Sequence, residues 1–345
     1  MQKIFRIQVG QRANLKKGNK IQMKAMILAA GEGTRLKPLT YQLPKPLVPI
    51  LNKPVMAHVL SCLSKNDIQE IVINTHYMAD QIESYFKDGA KFNVKIQYSR
   101  EEKLLGTAGG VKKVESLFQE TFLVIGADDL SDVNLKQLIK SHKLTRAVAS
   151  IGLKEVEKTE HYGIVVTDPT GKILQFQEKP QTDKTASRTA NTGIYVFEPE
   201  IFNFIPENEV FDFGRQVFPL LLKKNAPFYG FPVEGYWCDI GSLEEYKNSH
   251  WSILSGECKI DLDAPQISPR IWISEGAKIH PEAVLRPPCY VGKGTVVEKG
   301  AVLDQYVVAG ENARIGAKSH LNRTILWDET VIPPEKILEN SVIAE

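Results

Sequence analysis

With 345 residues, 43% of them hydrophobic and 24% charged, the chain is long enough for two cores and has the makeup of a globular protein. Its formal charge of +2 gives no support to a nucleic-acid-binding surface, and no apolar run reaches the length of a membrane span. Cys62, Cys238, Cys258 and Cys289 are scattered without a CxxC pair, and the seven histidines show no HExxH spacing; a disulfide framework and a metal knuckle are not expected, and a reducing cytoplasm is.

The first 22 residues carry Lys3, Arg6, Arg12, Lys16, Lys17 and Lys20 and no acid, without the apolar stretch of a secretion signal. Removing these six cations turns the charge from +2 to −4, so the basicity belongs to this leader and not to the body. Met23-Lys24 directly precedes the first strand, which points to a natural start at Met23, a flexible basic arm being the other reading.

Lys24 to Ala29 is a continuous apolar run of strand length, as a buried parallel strand requires. Gly31 and Gly33 follow, able to take positive φ and to let backbone N–H groups approach phosphate oxygens. Arg35 adds a planar fork of donors and Lys45 a mobile point charge, on a segment stiffened by Pro38, Pro44, Pro46 and Pro49. Together they make an anion cradle of the kind a triphosphate needs. No Gly-Lys-Ser/Thr follows, so it is not a P-loop, and the third glycine of the dinucleotide fingerprint is missing.

Helices are predicted at 55–65, 79–86 and 135–142, alternating with strands at 71–74 and 122–125, the rhythm of a mostly parallel sheet covered on both faces. From 147–153 the strand-like runs 163–167, 173–177 and 192–197 come closer together, and an antiparallel-leaning half is expected. Leu105-Gly106-Thr107-Ala108-Gly109-Gly110 is a second glycine-rich turn at a helix start, suited to backbone recognition of a base and ribose. Asp128 ends the apolar strand from Phe122, where a ligand-facing acid belongs; Asp129 is its neighbour, and a capping role fits Asp132. Asp239, between aromatics and Gly241, reads either as a ligand-facing acid or as the start of the following helix.

The C-terminal part changes period. Stepping by six from Ile273 gives Ile279, Leu285, Val291, Val297, Leu303, Ala309, Ile315, Leu321 and Trp327, all apolar. Small or β-branched residues recur four positions after nearly every one. Neither a helix nor a single strand has this period, and a hexapeptide β-helix is expected over residues 273–332, after a linker at 256–272 and before a tail at 333–345. It resembles the left-handed parallel β-helix.

The segment from Leu28 to Pro49 resembles the signature of the sugar-1-phosphate nucleotidyltransferases, which make nucleoside diphosphate sugars. The resemblance covers nearly all of residues 23–332. It implies an α/β catalytic domain at 23–255 with a Rossmann-like, mostly parallel mixed sheet, followed by the short β-helix. It further implies nucleotide binding by Leu28, Ala30, Gly31, Gly33, Thr34, Arg35, Gly106, Thr107 and Gly109. Sugar phosphate would be held by Gly163, Glu178, Lys179, Asn191 and Thr192, and Mg²⁺ by Asp128 and Asp239. Arg35, Lys45 and Lys179 would neutralise and orient the phosphates. Family members usually have Asn or Ser, then Gly, before the first aspartate; here Gly126-Ala127 departs from that pattern. Of possible substrates, GTP with mannose 1-phosphate is expected, a glucose-1-phosphate uridylyl- or thymidylyltransferase and a non-catalytic regulatory homologue being the alternatives. A homo-oligomer is expected. His280 and His320 are the candidate bases should the β-helix transfer acyl groups instead.

Overall fold

The apolar runs near residues 25, 71 and 122 can be satisfied only where both faces of a strand are covered, and that is where the chain puts them. A computed structural model describes residues 23–181 and 185–344; the basic leader falls outside the described residues. In chain order the first part forms β1 (Lys24–Leu28), the hairpin β2 (Pro49–Ile50) and β3 (Lys53–Pro54), α1 (Val55–Lys65), β4 (Glu70–Thr75), α2 (Ala79–Phe86) and β5 (Lys95–Arg100). There follow α3 (Gly106–Lys112), β6 (Phe122–Gly126), β7 (Asp129–Ser131), α4 (Leu135–Thr145), β8 (Ala149–Glu155), β9 (Gly163–Thr167), β10 (Ile173–Glu178) and β11 (Thr189–Phe197). The last elements of this part are α5 (Phe218–Lys223), β12 (Phe228–Pro232), β13 (Trp237–Asp239) and α6 (Leu243–Ser255).

The main sheet runs β10-β9-β11-β6-β1-β4-β5, with β8 joining β11 to β12. β1 pairs in parallel with β4 and β6, while β11 runs antiparallel to β6, β8 and β9, so the later half is antiparallel-leaning as expected. Ala25, Met26 and Ile27 are fully buried at its centre. The carboxyl ends of β1, β4 and β6 open to one side, the side where ligands bind in such sheets. There β7 pairs with β13 in a separate two-stranded ribbon, Asp129 opposite Asp239.

The C-terminal part is a stack of short parallel strands in three ladders, consistent with a β-helix. One ladder runs through Ile271–Ile273, Cys289–Val291, Val307–Ala309, Ile325–Leu326 and Val342–Ile343, so the stacking continues past residue 332. Val291, Val297, Leu303, Ala309, Ile315 and Leu321 are buried inside, following the six-residue step. The step then fails. Val291 stacks on Ala309, 18 residues on, but Ala309 stacks on Leu326, 17 residues on. One residue is missing from the turn after Leu321, so Leu326 and Ile332 carry on the inward phase. Trp327, expected inside, is displaced by that residue to the outer face, against the first domain.

The two parts share a core. Leu36, Leu39, Val48, Ile50 and Ile240 from the first part pack with Tyr290, Val308 and Ile325 of the stack, with Tyr246 and Trp251 of α6 between them. Among the described residues, no helix is long and apolar enough to cross a membrane.

Candidate active site

Lys45 is the centre of the site. Its ammonium donates to Asp128 Oδ2 and, over 3.3 Å, to Asp239 Oδ1, with 12% of its side chain exposed. Burial works against a charged lysine, but the two carboxylates outweigh it and hold the Lys45 pKa above the ordinary range. Arg35, more than half exposed, lies over Gly241 with Nη2 3.7 Å from Asp239 Oδ2. Two acids 111 positions apart in the chain thus flank one cation because β7 and β13 pair.

The glycine turn is built around the same lysine. Gly33 has φ of 65°, and a Cβ there would lie 3.0 Å from Lys45 Cβ, so both conformation and space call for glycine. Thr40 locks the turn, its hydroxyl donating to the Gly33 carbonyl at 2.9 Å. Gly31, expected to be able to take positive φ, does not; a Cβ there would meet nothing within 4 Å, and its room faces the cavity.

Two adjoining cavities share Leu28, Gly31 and Asp128. The smaller, about 230 Å³, is lined also by Gly33, Thr34, Arg35 and Lys45. The larger, about 480 Å³, brings together Ala30, Gly106, Thr107, Gly163, Glu178, Lys179, Asn191, Thr192 and Asp239. Of the residues expected to bind nucleotide, sugar phosphate or metal, Gly109 alone is not on either wall: it packs behind, where a Cβ would lie 2.6 Å from the Glu209 carbonyl. The Ala108 and Gly109 N–H groups donate to Phe211 O, so the start of α3 is tied to the 209–213 segment. Thr107 is tied there too, its N–H and hydroxyl both meeting Asp212 Oδ1. Thr192 is buried and its hydroxyl donates to Gly152 O at 2.7 Å, which pins β11 to β8. Asn191 donates to Tyr195 Oη at 3.0 Å and accepts from Gly193 N–H at 2.9 Å. Glu178 sits against Gly163 and Gly214, and burial raises its pKa despite Lys179 and Arg215 nearby.

Several wall residues went unseen in the sequence. Asn74, at the end of β4, accepts from Ala29 N–H at 2.8 Å and donates to Glu101 Oε1 at 2.8 Å, and Glu101 Oε2 accepts from Leu105 N–H at 2.9 Å. The first glycine turn is thereby strapped to the second. Their signal was position, since both residues lie at the carboxyl ends of parallel strands. Asp129 is buried and bonded to Gly126 N–H at 2.8 Å; burial, then Asp128 and Asp239, push its pKa well up. A Cβ at residue 126 would lie 2.6 Å from Asp129 Oδ2, so Gly126 and Asp129 are mutually adapted. Trp237 Nε1 is buried without a partner on the wall of the larger cavity.

Two capping readings are corrected. Asp132 does not cap a turn; its oxygens accept from Tyr236 N–H and Lys259 N–H, both at 2.6 Å, and the α4 cap is Asn134. The α6 cap is Ser242, which leaves Asp239 free to face Lys45. His280 and His320 lie on the β-helix, His320 3.4 Å from Asp304, and neither lines these cavities.

Residues 24–255 match the nucleotidyl transferase family. The chain is 38% identical over 333 residues, 85% of this chain and 86% of the relative, to the UTP–glucose-1-phosphate uridylyltransferase of Synechocystis sp.. It is 31% identical over 320 residues, 92% of this chain and 83% of the relative, to the mannose-1-phosphate guanylyltransferase of Mycobacterium tuberculosis. The crystal structure of HddC from Yersinia pseudotuberculosis complexed with GMP-PN is similar at a TM-score of 0.59 and 27% identity, covering 67% of this chain and 99% of that one.

Proposed function

This chain belongs to the nucleotidyl transferase family, and from that premise we propose that it joins a nucleoside triphosphate to a sugar 1-phosphate, giving a nucleoside diphosphate sugar and pyrophosphate. The observation that carries the reading is the Asp128–Lys45–Asp239 cluster at the junction of two cavities, one walled by the glycine turn and Arg35, the other by Glu178, Lys179 and Asn191. A phosphate oxygen of the sugar attacks the α-phosphorus, the bond to the β-phosphate oxygen breaks, and pyrophosphate leaves. No protein nucleophile is needed, so the residues act by position and charge. Arg35 and Lys45 neutralise the triphosphate, Lys179 orients the attacking phosphate, and Glu178 and Asn191 bond sugar hydroxyls.

Asp128 and Asp239 fit a divalent cation: they are hard oxygen donors on two sides of a point already held by a positive charge. Mg²⁺ is the ion we assign, and when bound it would supply charge neutralisation at the phosphates. Lys45 then has the triphosphate as its alternative partner.

GTP with mannose 1-phosphate is the pair we favour, supported by the guanylyltransferase relative matched along 92% of this chain. UTP with glucose 1-phosphate is the second reading, supported by the higher identity, 38%, to the uridylyltransferase. Pyrophosphate release with Mg²⁺ across GTP, UTP, dTTP, ATP and CTP against both sugar phosphates decides between them. One strong combination names the product; no release from any pair, with nucleotide-sugar binding intact, makes the protein a binding homologue instead. The four cysteines are free thiols, which supports a cytoplasmic setting. Exposed Val331 and Ile337 on the outside of the β-helix support a homo-oligomer, and a single-chain mass by light scattering at working concentration would refute it.

A further inference from the structure

The residue lost from the turn after Leu321 puts Trp327 where the two preceding coils have Gly292 and Gly310. At those coils the glycines leave the outer face flat, and Asn52, in the β2–β3 turn, lies against Gly292. At the next coil the indole projects instead, and its Nε1–H donates to Tyr246 Oη at 2.9 Å. Tyr246 is fully buried in the first turn of α6 and passes the contact on, donating its own hydroxyl proton to Pro49 O at 3.0 Å.

Two members of that short chain of bonds, Pro49 and Tyr246, are continuous with segments of the active site. Pro49 follows the single helical turn Lys45–Leu47, which is closed by the Val48 N–H bonding Lys45 O at 3.1 Å. Tyr246 stands just past Asp239: its N–H bonds Ser242 O at 2.9 Å, and Gly241 N–H is held by Glu245 at 3.0 Å. A second clasp lies beside it, with Trp251 of α6 at 5.4 Å from Tyr306 and Arg323 over both rings. The stack therefore grips the lysine segment and the aspartate segment through one tyrosine.

We propose that Trp327 and Tyr246 are positioning residues for nucleotidyl transfer, through which the β-helix sets the placement of Lys45 relative to Asp128 and Asp239. The β-helix is in this sense part of the catalytic apparatus and not an appendage. The inference rests on the role given to Lys45 above, but its structural half stands without it. A buried hydroxyl that bridges an indole and a carbonyl has no water to replace either partner, so losing one bond shifts the segment it holds.

The test uses the full chain with Trp327→Phe, Tyr246→Phe and the double variant. Tyr246→Phe keeps the ring and removes only the hydroxyl, while Trp327→Phe removes the donor and trims the indole to a phenyl ring. Each single variant is expected to lower kcat by about threefold to thirtyfold, as small misplacements of a catalytic group do, while KM for the sugar 1-phosphate stays unchanged. The double variant is expected to match Tyr246→Phe alone, because Trp327 acts through that hydroxyl. Amide hydrogen exchange of residues 45–51 should quicken in all three. Unchanged kcat with only a lower melting temperature, or kcat losses that multiply in the double variant, would overturn the proposal. Should the wild-type protein transfer no nucleotide, the functional reading fails by itself, and unchanged exchange at 45–51 would still decide against the Trp327–Tyr246 coupling.

Discussion

Lys45 sets one ammonium between two carboxylates, so each member of the cluster is held by its contact with the others. Asp128→Asn is expected to reduce turnover by about 10²–10³-fold, the cost of removing one preorganised charge from a transition state, in an assay of pyrophosphate release. Residual activity within twofold of wild type would remove Asp128 from the mechanism. Gly33→Ala is a different kind of lesion. A side chain at φ 65° costs about 1–2 kcal/mol and also pushes on Lys45, so both melting temperature and kcat should fall. Gly33, Arg35, Lys45 and Asp128 were legible from charge, glycine and strand ends, whereas Gly163, Glu178, Lys179, Asn191 and Thr192, which share the larger cavity, were named only through the family resemblance. Asp129 was visible only as a neighbour, since nothing in a sequence shows that Gly126 leaves room for its carboxylate.

Among elements, the long periodic ones were legible and the short ones were not. α1 and α2 occupy their predicted spans and α4 runs on from its predicted start, because an apolar stripe over two or three turns is a strong signal. β7 and β13, three residues each, carry no period at all, yet their pairing is what brings Asp128 to Asp239. α1 and α6 each hold a buried histidine against a carbonyl, His58 on Ile50 O and His250 on Tyr246 O. Burial lowers both from 6.5 to about 4, so each stays neutral in the fold over a range where the unfolded chain takes up a proton. Above pH 6.5 neither state is protonated and nothing is lost. As pH falls from 6.5 towards 4 the unfolded state gains, by about 3 kcal/mol per histidine at the lower end. Melting temperature should therefore drop steeply across that window, and His58→Gln should flatten the curve; an unchanged slope would show that His58 ionises in the folded protein.

At the scale of the whole molecule, the shared core matters more than either part alone. Leu36, Leu39, Val48 and Ile50 belong to the loop around Lys45, and their other side is covered by the β-helix. A chain cut after Gly256 would expose that face, and we expect it to precipitate or to melt well below the full-length protein. Equal melting temperatures would mean that the first domain completes its own core. The two-part organisation was legible because a six-residue period excludes every other regular structure. How the parts meet was not, since Trp327 satisfies a test for apolar residues while failing the stricter demand for an aliphatic one inside the stack.

The shortened coil also limits how this molecule can be rebuilt. Stacks of equal coils are modular: a unit can be added, removed or exchanged with a related protein, and the remainder keeps its orientation. Here residues 322–327 act as an index mark that fixes the stack's rotation about its own axis against the first domain. A graft that restores the missing residue would turn Trp327 back towards the interior and leave the Tyr246 hydroxyl with Pro49 O as its one remaining partner among those described. Coil exchange should succeed below Leu321, and above it only when that shortened turn is carried across whole.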